Sequence, residues 1–178
     1  MSTTPAAGLR ERREAVVREH MESENRHEFD ATMETFAHPR YELIGTGDVH
    51  DGEQEVAAYF EESRTAFPDQ RNELLAMHHA DDGVIVEFDL KGTHDGPYRG
   101  IPPTGRAFTC RMAALFLFEP GGDGIVCERV YFDSATILRQ LGLAHDPLTL
   151  WGRAATALSH PVTIGGAFAR QIGGRLRP

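Results

Sequence analysis

Residues 126–142 read VCERVYFDSATILRQLG, a strand-like run that ends on Asp133 and passes directly into a short helix. Val126, Val130, Tyr131 and Phe132 are β-formers that follow the turn Gly121-Gly122-Asp123-Gly124. Asp133 or Ser134 can cap the helix carrying Ile137, Leu138 and Leu141, and Gly142 stops it. A carboxylate at such a junction is held on both sides by rigid elements, and the helix N-terminus favours its charged form. Two roles are open to Asp133, helix cap and base.

Working backward, residues 106–118 form a second long strand. Val84, Val86, Phe88 and Leu90 alternate with Ile85, Glu87, Asp89 and Lys91, the period of a half-buried strand. Residues 72–79 precede it across the hairpin turn Ala80-Asp81-Asp82-Gly83. The stretch 92–105, GTHDGPYRGIPPTG, reads as a loop. Before the strands lie helical patterns at about 9–25, 28–37 and 53–67, a short strand at 41–44 and a loop at 45–52. Helices followed by a meander of strands and a closing helix give an α+β domain, with the helices on one face of a curved antiparallel sheet.

Three segments are expected: a disordered leader over residues 1–8, the domain over 9–143, and a helical extension over 144–178. The extension carries Leu148, Trp151, Leu158, Phe168 and Ile172 with Arg153, Arg170, Arg175 and Arg177. It reads as a packing arm, with a lid or a membrane-surface contact as the alternatives.

Composition narrows the function. The 178 residues are 40% hydrophobic, enough for one domain with a substantial core, and the net charge of -9 argues against nucleic acid as a partner. Cys110 and Cys127 sit in apolar runs and read as small buried hydrophobes. With no secretory pattern and no apolar run of membrane-spanning length, the chain reads as cytoplasmic, with membrane association not expected. No dinucleotide fingerprint, P-loop or nucleophile elbow occurs, and no His/Cys/carboxylate spacing resembles a metal motif. Neither a metal nor a cofactor is expected, which leaves cofactor-free proton transfer.

The candidates for that chemistry are charged residues embedded in strands and histidines near their ends. Glu87 and Arg111 are equidistant from Arg99 in the loop, so antiparallel pairing would set them side by side as an ion pair. Arg129, Tyr131 and Asp133 share one face of the last strand; whether it is the pocket face is left open by alternation, because bulges reverse the phase. His94 continues the phase of Val86, Phe88 and Leu90 to a pocket mouth beside the Gly-Pro loop. His20 lies on the inner face of the first helix, Tyr41 on the first strand and His50 in the loop after it. His78 and His79 point to opposite faces.

The segments Phe67-Pro68-Asp69, Gly92-Thr93-His94, Gly100, Pro102-Pro103-Thr104-Gly105-Arg106, Glu128-Arg129, Tyr131, Asp133 and Gln140-Leu141-Gly142 give the chain its likeness. Over roughly residues 10–143 it resembles the SnoaL-like ester cyclases of the nuclear transport factor 2-like superfamily. The resemblance implies a cone of helices and bent sheet around an interior pocket, dimers, and intramolecular aldol cyclisation of a small hydrophobic polyketide-type ester. The acid/base aspartate of that family matches Asp133. His94 or Arg129 would then hydrogen-bond the enolate, and His20, Tyr41, His50, Glu87, Arg111 and Tyr131 would line the substrate site. Two alternatives use the same frame: an epoxide hydrolase-like or isomerase-like enzyme with Asp133 and either Glu87 or Asp89 bridged by Arg111 or Arg129, and a non-catalytic ligand-binding dimer.

The strand at 106–118 is apolar in both phases, with Phe108, Met112, Ala114, Phe116 and Phe118 in one and Ala113, Leu115 and Leu117 in the other. Helices can cover only one face, so a homodimer across the outer sheet face is expected.

Overall fold

The structure is a computed structural model that describes residues 5–175. Its elements run α1 (Pro5–Arg26), α2 (Phe29–Glu34), β1 (Arg40–Leu43), β2 (Asp48–Asp51), α3 (Glu53–Ala66), β3 (Arg71–His79), β4 (Gly83–Thr93), β5 (Ala107–Phe118), β6 (Ile125–Phe132), α4 (Ser134–Gln140), α5 (Leu150–Ser159) and α6 (Pro161–Arg175). The chain divides into two compact units at Leu141 and Gly142.

In the first unit, helices pack on one face of a six-stranded sheet of order β2-β1-β6-β5-β4-β3. Alternate residues of the long strands build the core: Val84, Val86 and Phe88 on β4 stand beside Phe116, Ala114 and Met112 on β5. Val17 and Met21 of α1 and Val56 and Phe60 of α3 close over them. Arg13, though charged, is buried: it donates to the carbonyls of Gly122 and Glu119 and lies over the Phe118 ring, tying α1 to the β5–β6 turn.

Several expectations are corrected. Of residues 1–8, expected as a disordered leader, 5–8 belong to α1, and 1–4 lie outside the described residues. Residues 45–52, read as a loop, contain β2. Its sequence DVHD lacks apolar alternation, because it is an edge strand paired only to β1. The sheet is not wholly antiparallel, since β1 runs parallel to β6. The Glu87–Arg111 pair does not form. The β4–β5 register places Asp89 opposite Arg111, and their ion pair measures 2.7 Å; Glu87 faces Ala113 and reaches His78 instead. The loop therefore turns about Gly100, one residue later than assumed, and such a shift moves every cross-strand partner by two.

The second unit comprises α5 and α6. Thr149 caps α5 by accepting from the backbone N–H of Gly152 at 3.0 Å. No described helix is long and apolar enough to cross a membrane.

Candidate active site

The β5–β6 register slips between Leu117 and Phe118, near the start of β6. Beyond that irregularity Glu128, Val130 and Phe132 stand opposite Phe116, Ala114 and Met112, on the core face. A carboxylate is thereby carried into the interior, where Glu128 is 6% exposed. His20, fully buried on α1, meets it: Nε2 lies 3.0 Å from Glu128 Oε2 and 2.8 Å from the Tyr41 hydroxyl. One turn further along α1, Glu24 places a carboxylate oxygen 3.7 Å from the same nitrogen and accepts the Tyr41 hydroxyl hydrogen at 2.8 Å. Asn72 of β3 donates to the other Glu24 oxygen.

The far side of the imidazole fixes its tautomer. Thr35 Oγ1 donates to the Thr32 carbonyl at 2.6 Å, so it must accept from His20 Nδ1, 2.7 Å away. Nδ1 thus carries a hydrogen, and Nε2 is the nitrogen that exchanges a proton with Glu128. Burial alone would lower the His20 pKa, but the hydrogen bond and charge of Glu128, with the charge of Glu24, outweigh it and raise the value. Burial raises Glu128 as well, against the opposing pull of His20. The first shift favours the ion pair and the second the neutral pair. Two carboxylates within 3.7 Å of Nε2 make imidazolium with carboxylate the stronger arrangement. Burial, reinforced by both glutamates, also raises the phenols of Tyr41 and Tyr59, which are held as neutral donors.

Glu24, Tyr41, Tyr59, Asn72 and Glu128 line an interior cavity of about 40 Å³, room for about one water molecule, and His20 stands behind them. A wider groove of about 810 Å³ lies between α2 and α3, and Phe60 and Arg64 belong to the walls of both.

The residues singled out by sequence divide sharply. His20 and Tyr41 are at the centre. His50 stacks on Tyr59, with ring centroids 4.8 Å apart, one residue removed from the cavity wall. Asp133 is exposed and acts as a helix cap, accepting from Ala135 N at 3.0 Å and Thr136 Oγ1 at 2.6 Å, which holds its carboxyl below the ordinary range. His94 is fully buried against Phe67 beneath Thr104, away from both cavities rather than at a mouth. Arg129 pairs with Glu42 at 2.5 Å, and with Tyr131, Glu87 and Arg111 it occupies the outer sheet face. The carboxylate–arginine bridge imagined for an epoxide hydrolase is accordingly an exposed ion pair between Asp89 and Arg111.

Sequence reasoning missed Glu24 and Glu128 as site residues. Glu24 was accessible, since His20 and Glu24 share one helix face at i, i+4. Together with His20 they gather three ligand-type atoms within 4.8 Å of one another, a cluster the sequence spacing does not announce. Each could offer one atom to a cation, but the Nε2 lone pair is free for this only once the shared proton has left.

Residues 14–141 match the family described as SnoaL-like polyketide cyclase. No curated protein sequence matches at a significant level. Among solved structures the chain is similar to IdmH, a putative polyketide cyclase from Streptomyces antibioticus, at 24% identity and TM-score 0.62, covering 73% of this chain and 98% of that one. It is similar to a putative polyketide cyclase from Xanthomonas campestris at 18% identity and TM-score 0.67, covering 75% and 98%. It is also similar to AclR, a putative hydroxylase from Streptomyces galilaeus, at 20% identity and TM-score 0.63, covering 75% and 97%. With the match spanning α1 through α4, the chain belongs to the SnoaL-like polyketide cyclase family.

Proposed function

We propose that the protein is a cofactor-free acid/base enzyme that cyclises a small hydrophobic, polyketide-like ester by intramolecular aldol addition, with Glu128 and His20 as its proton-transfer pair. The observation that carries this reading is the buried 3.0 Å contact between His20 Nε2 and Glu128 Oε2, with Nδ1 tied to Thr35. Glu128 takes a proton from carbon beside a carbonyl. The electron pair left behind attacks a second carbonyl carbon of the same molecule, whose oxygen receives a proton from His20. Tyr59, which lines the same cavity, stabilises the enolate by donating its phenolic hydrogen. Product and substrate are isomers, so no water is incorporated.

Incubation with a panel of aromatic β-keto esters, read by mass spectrometry, tests the reading. An isomeric product is expected from the wild type and not from Glu128→Gln; a product gaining solvent oxygen, or full turnover by Glu128→Gln, would overturn it. Membership of the family supports this chemistry, and the apolar groove beside the cavity supports a hydrophobic substrate. We also propose that the protein works as a homodimer across its outer sheet face.

A further inference from the structure

The second unit turns its apolar side outward. On α5, Gly152 is buried against the preceding turn, where a Cβ would come within 1.7 Å of the Asp146 carbonyl oxygen. Thr156, on the same side of the helix, donates to the Gly152 carbonyl at 2.8 Å. Small and polar residues therefore occupy the inward side. Leu150, Ala154 and Leu158 recur every fourth residue on the opposite side, with Trp151 beside them. Leu148, Leu150, Trp151, Leu158 and Val162 are 80–87% exposed, whereas no large apolar side chain described in the first unit exceeds 49%. On α6, Phe168 and Ile172 stand one turn apart, both exposed. An apolar row this open marks the side of a helix that seats on something else.

Charge identifies the occupant. Across residues 142–178, Arg153, Arg170, Arg175 and Arg177 are opposed by a single acid, Asp146, a net charge of +3 in a chain of -9, so residues 1–141 carry -12. An apolar row, a tryptophan beside it and arginines around it make up a helix that lies in the plane of an anionic bilayer. An acidic protein surface would satisfy the arginines but leave the row in water, whereas a fluid lipid surface covers a convex helix face without a matching groove. The same bilayer repels the acidic first unit, which confines the contact to residues 142–178. We infer that α5 and α6 form a surface anchor that lays the Leu150, Trp151 and Leu158 face into an anionic lipid bilayer, with Arg153 flanking it at the phosphates. The expectation of no membrane association rested on the lack of a spanning run, and a contact in the plane of the surface needs none. This anchor goes beyond the proposed chemistry and does not depend on it.

Trp151 is the only tryptophan in the chain, so its emission reads this face directly. Vesicles of equal parts phosphatidylcholine and phosphatidylglycerol should move the emission of the full chain to shorter wavelength and carry the protein down on sedimentation. Vesicles of phosphatidylcholine alone should bind roughly tenfold more weakly, and added salt should narrow the difference. Leu150→Ser with Leu158→Ser should abolish sedimentation with either vesicle, and Arg153→Gln with Arg170→Gln should weaken binding to the anionic vesicle roughly tenfold. Emission already at short wavelength without vesicles would show that protein covers Trp151, and emission that anionic vesicles leave unmoved would show that nothing inserts; either would overturn the anchor. Equal binding to the two kinds of vesicle would overturn the anionic surface as its occupant. These three outcomes are read on the unaltered chain, so they decide the matter even if a variant fails to fold.

Discussion

His20 Nε2 and Glu128 Oε2 stand 3.0 Å apart in the interior, although 108 residues separate them in the chain. Glu128 raises the His20 value, so at this pair the folded protein holds a proton that the unfolded chain would release. The stability given by protonated His20 is present in full below its ordinary value of 6.5 and is lost as pH rises through the higher folded value. The melting temperature of the wild type should therefore fall as pH climbs from about 6 toward 8. The exchange Glu128→Gln should flatten that slope, lower the His20 titration followed by NMR, and cut turnover roughly 10²–10⁴-fold. A wild-type melting temperature that rises across this window would contradict the shared proton.

At Asp133 the opposite outcome is expected. Its carboxylate is spent on Ala135 N and Thr136 Oγ1, and it faces solvent. Asp133→Asn should leave kcat/KM unchanged, and Asp133→Ala should lower the melting temperature slightly through loss of the cap without changing kcat/KM. A large loss of kcat with unchanged melting would return Asp133 to the chemistry.

The contrast between Glu128 and Asp133 shows what the sequence could and could not disclose. Strand period, turn glycines and helix caps were legible, and they placed β3 to β6 and α4 within a few residues. The face of β6 was not, because the irregularity near its start decides whether 128 and 130 or 129 and 131 point inward, and nothing local marks it. His20 and Tyr41 were found because each lies in a well-phased element. Asp89 in place of Glu87 as the partner of Arg111 turned on a one-residue shift of the loop centre, which glycine-rich sequence does not fix.

The loop after β4 is hydrogen-bonded to the end of α3 through its backbone. Asp95 N and Gly96 N both donate to the Ala66 carbonyl at 3.1 Å, and a Cβ on Gly96 would come within 1.9 Å of the Thr65 carbonyl oxygen. Gly96→Ala should therefore push the loop off the helix and destabilise the fold by roughly 1–3 kcal/mol. Chemical denaturation at constant m-value measures the loss; unchanged stability would mean that the loop docks elsewhere.

The outer sheet face carries a contiguous apolar patch. Register places Ile85 beside Leu115 and Ala113 beside Tyr131, with Leu117 next along β5. Ile85 is 37% exposed and Tyr131 45%, while the ion pairs Arg129–Glu42 and Asp89–Arg111 stand on the same face. Apolar side chains left in water between paired charges suit a symmetric contact, since a two-fold axis lets each patch cover the other while the ion pairs set its rim. Sedimentation should give a dimer for the full chain and for a chain ended at Leu143. Ile85→Arg should give a folded monomer, because a desolvated guanidinium at the centre of the contact would meet its own copy across the axis. A full-length monomer that aggregates only when shortened to Leu143 would overturn the dimer and assign the C-terminal helices to covering this face.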